Sequence, residues 1–141
     1  MLFHLLPQIN FITVTLLKEG KEVYAKFGKH KVKLDKATVE RIVKDDFNNQ
    51  QFIMGIRSED IYLSNEAVTK TNSLVEGKVI ITEKLGNEIL VYASVNGKEG
   101  DLVFRSKPRV EIDQDDIISL EFDTKQIHLF EYDTGKTILK R

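Results

Sequence analysis

The 141-residue sequence predicts an all-β fold, a sandwich or a barrel, with one short helix near residues 36–45. Most of the chain alternates apolar and polar residues with a period of two, which is the pattern of half-buried strands. Turn-forming residues separate the alternating runs, and a single segment carries helical periodicity instead. Many short strands at close spacing are typical of sandwiches and barrels.

The strands are predicted from runs that are rich in β-branched and aromatic residues. In chain order these runs are 11–17, 23–27, 51–56, 77–82, 89–95, 117–122 and 127–132. Residues 29–34 predict a further strand, because three lysines alternate with His30, Val32 and Leu34 and so form a solvated face and a buried face. Turns are expected at 19–21, 27–29, 85–87 and 96–98, where Asn96-Gly97 is a strong hairpin signal.

The predicted helix covers Lys36–Lys44. Val39, Ile42 and Val43 recur at helical spacing, and Asp35 is placed to cap the first turn. The spacing predicts two or three helical turns.

Composition limits the domain organisation. With 41% apolar and 30% charged residues, the chain fits one compact unit. Residues 66–75 are polar, and Thr71-Asn72-Ser73 within them is the candidate boundary between two subdomains. We expect a single domain over residues 1–141, or two subdomains of about 1–70 and 71–141 that share a core.

Charge and cysteine content exclude several classes of partner and site. Up to Lys44 there are nine Lys and Arg against four Asp and Glu, and the acidic excess follows, giving a net charge of -1. Because no dense basic stripe with interleaved aromatic residues exists, we predict no nucleic-acid partner. No run approaches the roughly 18 apolar residues of a membrane span, so direct membrane insertion is not expected. The absence of cysteine excludes disulfides and thiolate metal sites.

The sequence offers no catalytic or metal site. Gly135-Lys136-Thr137 matches the end of a phosphate-binding P-loop, but Phe130 stands where the first glycine belongs and too few residues follow to form the helix that the motif requires. Residues 133–136 are therefore predicted to form a tight turn. The histidines have no metal-ligand spacing, and the acidic run 111–116 lacks the glycine and glutamate of a calcium loop. We predict neither enzymatic activity, nor ATP binding, nor a cofactor.

Five motifs, in order and at suitable spacing, resemble the tail domain of the ATPases that energise maltose-type (MalK-like) sugar importers. They are Pro7–Phe11 for P-x-M-N-F, Gly55–Asp60 for G-I-R-P-E-[DH], Glu76–Val79 for E-G-x-V, Glu83–Glu88 for E-x-L-G-x-E, and His128–Gly135 for H-L-F-x-x-x-x-G. The resemblance covers essentially the whole chain. One departure is Ser58, which replaces the usual proline and restores a backbone N–H, so a looser turn is expected there.

The resemblance implies a tandem of OB-like (TOBE) β-barrels that regulates a sugar importer without its ATPase domain. It implies protein partners: a second copy of the same domain, the ATPase domain and transporter assembly, and a cytoplasmic regulatory protein. It also implies a location in the cytoplasm at the inner face of the membrane. An alternative is a barrel that senses a sugar or an oxyanion, since fold alone does not decide function.

Eight residues within or beside the resembling motifs are candidates for structural or interaction roles. They are Arg57, Glu59, Glu83, Gly86, Asn87, Glu88, His128 and Phe130. If the strand continues past Arg57, this residue shares a face with Glu59 and can pair with the carboxylate of Glu59 or of Glu83.

Gly86 is expected to supply a turn dihedral in the 85–88 segment. Phe130 is expected to point inward and His128, on the same strand face, to be a half-buried packing residue. Self-pairing, which the resemblance implies, is expected in the second half, around residues 83–88 and from Val103 onward, because the lysine-rich first half would repel its own copy.

Overall fold

A computed structural model describes residues 8–64 and 73–141. The candidate subdomain boundary at Thr71-Asn72 therefore lies outside the described residues. Within these ranges the chain forms ten strands and one α-helix, with a 3-10 turn at Ser58–Asp60. The elements are β1 (Ile9–Glu19), β2 (Glu22–Phe27), β3 (His30–Lys33), α1 (Lys36–Glu40), β4 (Gln50–Arg57), β5 (Ile61–Leu63), β6 (Val75–Leu85), β7 (Glu88–Ser94), β8 (Leu102–Ser106), β9 (Ile117–Phe122) and β10 (His128–Glu131).

The strands form two antiparallel five-stranded sheets, which confirms the all-β prediction. The first sheet has the order β10-β4-β1-β2-β3 and the second the order β5-β9-β6-β7-β8. The sheets do not follow a division near residue 70. β5 comes from the first half and joins the second sheet, whereas β10 returns from the second half to the edge of β4.

One buried cluster fills the interior between the sheets. In the first sheet Ile12, Met54 and Leu129 lie side by side across β1, β4 and β10, and all three are at most 1% exposed. Phe27 of the first sheet stacks on Phe122 of the second, with ring centroids 6.3 Å apart. Burial of each such side chain contributes about 1.5–3 kcal/mol, so these rows hold the two sheets together.

The helix is shorter than predicted. It begins after Asp35, whose side-chain oxygen accepts a hydrogen bond from the Ala37 N–H, but it ends at Glu40. Val43 donates its backbone N–H to the Ile138 carbonyl, and Ile42 forms a β-bridge with Leu139. Tertiary pairing with the C-terminal segment therefore replaces the predicted last turn.

The Asn96-Gly97 turn is not the predicted two-residue hairpin, because seven residues separate β7 from β8. Its Asn96 side chain accepts a hydrogen bond from the Lys29 N–H at 2.8 Å. Gly97 and Gly28 have φ of +90° and +55°, and a Cβ on either would collide with the backbone of the other turn. The Asn96-Gly97 turn is thus shaped by its contact with the β2–β3 turn. We call this contact between the two turns the glycine junction.

His30 completes the glycine junction between the two sheets. Its side chain is 5% exposed, and Nδ1 lies 3.1 Å from the Asn96 carbonyl oxygen. The Glu76 N–H donates to Nε2 at 3.3 Å. Because Nε2 accepts this bond, the ring is neutral with its proton on Nδ1. A single side chain therefore links β3, β6 and the loop after β7.

The predicted turn at residues 133–136 is confirmed. Glu131 donates its N–H to the Lys136 carbonyl, Gly135 donates to the Glu131 carbonyl, and Phe130 forms a β-bridge with Thr137. Gly135 has φ of +71°, which a glycine adopts without strain. Within the described residues no helix has the length and hydrophobicity of a membrane span.

Candidate functional site

Arg57 ends β4 and does not share a strand face with Glu59. The strand gives way to the 3-10 turn, so the condition for an Arg57–Glu59 pair is not met. Arg57 makes no ion pair within 4 Å in residues 8–64 and 73–141. Ser58 donates its N–H to the Gln8 carbonyl at 2.9 Å, a bond that proline cannot make. The turn is therefore fixed by a hydrogen bond instead of being loosened.

Arg57 lies in a cleft of about 180 Å³ that carries more positive than negative side chains. We call it the basic cleft; its charged and titratable lining residues are Arg41, Arg57, Asp60, Lys125 and His128. Arg41 donates Nε to the Lys140 carbonyl at 2.8 Å, which fixes its guanidinium and leaves the other N–H groups available. Burial is the main cause that raises the pKa of the Asp60 carboxyl, and Glu59 and Asp123 act in the same direction. The cleft is thus suited to a negatively charged group.

The candidates from Glu83 to Glu88 lie in the β6–β7 hairpin. Leu85 pairs with Glu88, so Gly86 and Asn87 form a two-residue turn, and Gly86 has φ of +58° as expected for a glycine turn. The Arg105 Nη1 lies 3.3 and 3.1 Å from the two Glu88 carboxylate oxygens.

The Arg57–Glu83 pair is absent from the described residues. Glu83, Leu90 and Arg105 are register partners across three strands of the second sheet, whereas Arg57 belongs to the first sheet. One Glu83 oxygen, Oε1, is buried without a hydrogen-bond partner. Arg105 pairs with Glu88 of this hairpin instead, and it is a residue that the sequence did not single out.

His128 and Phe130 share a strand face as predicted, but that face points outward. Leu129 is fully buried between them in sequence, while His128 is exposed and Phe130 is half-buried. The rings of His128 and Phe130 stack with centroids 6.2 Å apart. The expectation of an inward Phe130 was wrong because alternation fixes which residues share a face, not which face meets the core.

The outward face of β1, β4 and β10 is apolar. We define this apolar face by Ile9, Phe11, Ile53, Gly55 and Phe130. Ile9 is 42% exposed and Phe11 is 55% exposed. The rings of Phe11 and Phe130 lie 6.4 Å apart, and a Cβ on Gly55 would lie 3.3–3.5 Å from Phe11, Phe130 and Ile9. Because Gly55 has no side chain, it leaves space that the rings of Phe11 and Phe130 occupy.

An acidic cleft of about 440 Å³ lies at the other end of β4 and β10. Its charged lining residues are Lys44, Asp45, Asp46, Glu131 and Asp133. Lys44 pairs with Glu131 at 2.9 Å, and hydrogen bonding to Lys44 is the largest cause that lowers the pKa of Glu131. In the described part of the chain the three aspartates make no ion pair within 4 Å. This end of the surface is therefore negative.

The structure adds residues that the sequence did not mark as candidates. These residues come from four separated segments, and only the fold brings them to one surface. They are Arg41, Lys125, Ile9, Phe11 and Tyr132. The signal available in the sequence was the outward alternation of Ile9 and Phe11, which places large apolar residues on the solvent side of β1. Within the described residues no group of three or more His, Asp or Glu side chains could hold a metal ion.

Two family models match the chain in succession. The MalK OB fold domain matches residues 7–61, and the TOBE domain matches residues 54–130. Among solved structures, the molybdate-bound form of the cytoplasmic molybdate-binding protein ModG aligns with a TM-score of 0.60 and 10% identity, over 86% of this chain and 94% of that one. At this identity the likeness concerns the fold alone.

Curated relatives are import ATP-binding proteins. The trehalose/maltose import ATP-binding protein MalK of Thermococcus litoralis is 32% identical over 94% of this chain and 35% of its own length. The maltose/maltodextrin import ATP-binding protein MalK of Vibrio cholerae is 29% identical over 90% of this chain and 32% of its own length. The oligosaccharides import ATP-binding protein MsmX of Bacillus subtilis is 29% identical over 91% of this chain and 34% of its own length. The chain thus spans about a third of the length of these relatives, and it matches their non-catalytic TOBE and OB part instead of the ATPase domain.

Proposed function

The chain belongs to the TOBE domain family, and from this membership we propose that it regulates a sugar-importer ATPase through protein contacts. The observation that carries the proposal is the succession of the OB and TOBE matches over residues 7–130, together with the similarity of 94% of the chain to a sugar-import ATP-binding protein. In this role the domain acts in the cytoplasm beside the membrane-bound importer. Its partners are a second copy, the ATPase domain and a cytoplasmic regulatory protein.

The distribution of polar groups supports action through surfaces. The space between the sheets is filled by aliphatic and aromatic side chains, and the clefts that carry charge open on the outside. A domain whose charged clefts open outward is suited to influencing a partner by docking. The exposed apolar face with charged ends is suited to such docking.

Uptake of labelled oligosaccharides tests the proposal in the organism that carries the gene. Cells in which codons 8–141 are deleted should show altered uptake, or should lose the inhibition of uptake that a preferred sugar causes. A matched strain carries Lys21→Gln, an exposed change in the β1–β2 turn that lines neither cleft, and should behave as the unaltered strain. Identical uptake in the deletion strain, with and without the preferred sugar, would contradict a regulatory role.

A second candidate is an oxyanion sensor, and the basic cleft favours it. Arg57 and Lys125 contribute cationic groups without an ion-pair partner within 4 Å in the described residues, and Arg41 is already oriented toward the cleft. The ModG structure holds molybdate on a similar fold. An anion at 100 times its Kd would add about 2.7 kcal/mol of stability.

Thermal denaturation separates the two candidates. The unaltered chain and Arg57→Gln are heated with molybdate, sulfate or phosphate, and also with maltose. A sensor predicts a rise in Tm for the unaltered chain with one of the anions and a smaller rise for Arg57→Gln. An unchanged Tm with every anion would remove the sensor from consideration.

A further inference from the structure

We propose that the basic cleft binds inorganic phosphate in its hydrogen-phosphate form, and that Asp60 selects this ion against sulfate and molybdate. The inference rests on the second candidate of the proposed function, the oxyanion sensor, and names the anion that such a sensor would recognise. The selecting group is the single carboxylate in the described lining of a cleft that is otherwise cationic.

The first step in the argument is the charge and the size of the cleft. Arg41, Arg57 and Lys125 carry three positive charges and Asp60 carries one negative charge, so the described lining has an excess of two positive charges. This excess balances the charge of a dianion. The volume of about 180 Å³ lies below the roughly 300–1,000 Å³ of pockets that hold drug-sized ligands. The cleft therefore suits a small ion rather than an oligosaccharide.

The second step is the backbone that carries the charged side chains. The Asp123 N–H donates to the Asp60 carbonyl at 2.9 Å, which ties the 3-10 turn to the loop between β9 and β10. The Lys140 N–H donates to the Arg41 carbonyl at 2.8 Å, and the Arg41 Nε donates in return to the Lys140 carbonyl. Hydrogen bonds thus hold the segments that supply the lining. Little ordering is then needed when an ion binds, which favours affinity.

The third step is the hydrogen-bond acceptor that Asp60 adds to the cleft. An ionised carboxylate only accepts hydrogen bonds, so it repels an anion that carries no hydrogen of its own. Sulfate and molybdate carry none at neutral pH, whereas hydrogen phosphate keeps one O–H group. This group can donate to Asp60 while the remaining oxygens accept from Arg41 and Arg57. Across the described part of the chain Asp60 makes no ion pair within 4 Å that would neutralise it.

The surroundings of Asp60 support its role as an acceptor. Burial is the largest cause that raises the pKa of its carboxyl, and the charges of Glu59 and Asp123 act in the same direction. Arg57 and His128 lower this pKa, so their positive charge acts directly on the carboxylate. A carboxylate with a raised pKa binds a hydrogen more strongly. Asp60 is therefore suited to accept the O–H of phosphate beside a cation that holds the other oxygens.

The same requirement separates free phosphate from phosphate monoesters such as sugar phosphates. The second pKa of a phosphate monoester is about 6, so at about pH 8 the ester is a dianion without a hydrogen on phosphate. Inorganic phosphate at this pH still carries one. Asp60 should therefore disfavour the ester as it disfavours sulfate, and the cleft should prefer the free ion.

Isothermal titration calorimetry of the full chain at about pH 8 and low ionic strength tests the selectivity. The probes are the sodium salts of phosphate, sulfate, molybdate and glucose 6-phosphate in a chloride buffer. Phosphate should bind at least tenfold more tightly than each of the other three. A smaller ratio against sulfate or molybdate would overturn the selection by Asp60. A smaller ratio against glucose 6-phosphate would overturn the assignment to free phosphate.

Variants in the cleft test the residues. Asp60→Asn supplies an amide that can donate, so it should bind sulfate more tightly than the unaltered chain does and should lower the preference for phosphate at least tenfold. Arg57→Gln should weaken the binding of phosphate at least tenfold. The matched control is Asp133→Asn, which removes one carboxylate from the acidic cleft and should leave every affinity unchanged.

An equal change of preference in Asp60→Asn and Asp133→Asn would mean that net charge acts instead of Asp60, and would overturn the inference. The Tm of each variant shows whether it is folded. A gain of sulfate binding also requires a folded chain, so unfolding cannot imitate the expected result.

The outcome for phosphate is separable from the outcome for the proposed function. Anion binding without a preference for phosphate would overturn this inference and leave the oxyanion sensor standing. The absence of binding by every anion would remove both. In either case the uptake experiment would still decide whether the domain is regulatory.

Discussion

Gly97 and Gly86 occupy turns that look alike in sequence and differ in their surroundings. Both precede or follow Asn, and both have positive φ, at +90° and +58°. A Cβ on Gly97 would strike the backbone of Gly28, whereas a Cβ on Gly86 would meet nothing within 4 Å. One glycine is needed for its dihedral and for the close approach of a second turn. The other is needed for its dihedral alone.

The largest expected effect comes from Gly97→Ala in the glycine junction. The positive φ and the collision with the β2–β3 turn together should cost about 2–5 kcal/mol of unfolding free energy. Urea denaturation measures the loss. Gly20→Ala is the matched control, because Gly20 has φ of +64° and open space around it. If both variants lose the same free energy, the collision between turns contributes nothing.

Gly86→Ala should cost less, about 1 kcal/mol, because the dihedral is its only requirement. The same urea titration measures it. An unchanged midpoint would mean that the hairpin turn adopts a conformation open to any residue, and the comparison with Gly97 would then rest on the collision alone.

Acid should weaken the glycine junction through His30. Burial is the main cause that lowers the pKa of His30 from 6.5, although Asn96 and Glu76 act in the opposite direction and Lys29 assists burial. Since the folded pKa lies below the unfolded one, the contribution of His30 is complete above pH 6.5 and is lost as the pH falls through the folded value. The unfolding free energy should therefore decline below pH 6.5.

His30→Gln separates this effect from the titration of carboxyl groups. A glutamine amide can donate to the Asn96 carbonyl and accept from the Glu76 N–H, but it does not titrate. The decline between pH 6.5 and 5 should be shallower in this variant than in the unaltered chain. Parallel curves would show that His30 does not sense acid.

The smallest effect is expected from Glu88→Gln beside the Gly86 turn. The Glu88–Arg105 pair is partly exposed, with side chains 43% and 31% accessible, so its loss should cost at most about 0.5 kcal/mol. A cost above about 1 kcal/mol would show that this hairpin is held by its ion pair as firmly as the junction is by its glycines.

The alternation of apolar residues predicted the strands of the described chain except β5 and β8, although both of these also contribute to the core. The run 117–122 coincides with β9, and the lysine face of 29–34 is seen in β3. β5 was missed because three residues are too few to show a period. The contacts between Gly28 and Gly97 and the neighbours of His30 link positions more than 40 residues apart, and no local pattern encodes them.

The candidate surface was less predictable for the same reason. The motif around Arg57 was visible in the sequence, but the basic cleft forms only when Arg41 and Lys125 are brought to it. The outward direction of His128 depended on which side of β10 meets the core, and the fully buried Leu129 decided it.

The exchange of strands between the sheets also orders events during synthesis. β10 leaves the ribosome after all five strands of the second sheet, yet it supplies the fifth strand of the first sheet and covers the free edge of β4. Until then the first four strands expose an unpaired edge, the kind of edge at which chains associate. A nascent chain released before residue 131 would carry a completed second sheet beside an incomplete first one. Four strands of the first sheet are thus translated early, but the sheet is completed only after β10 has been translated.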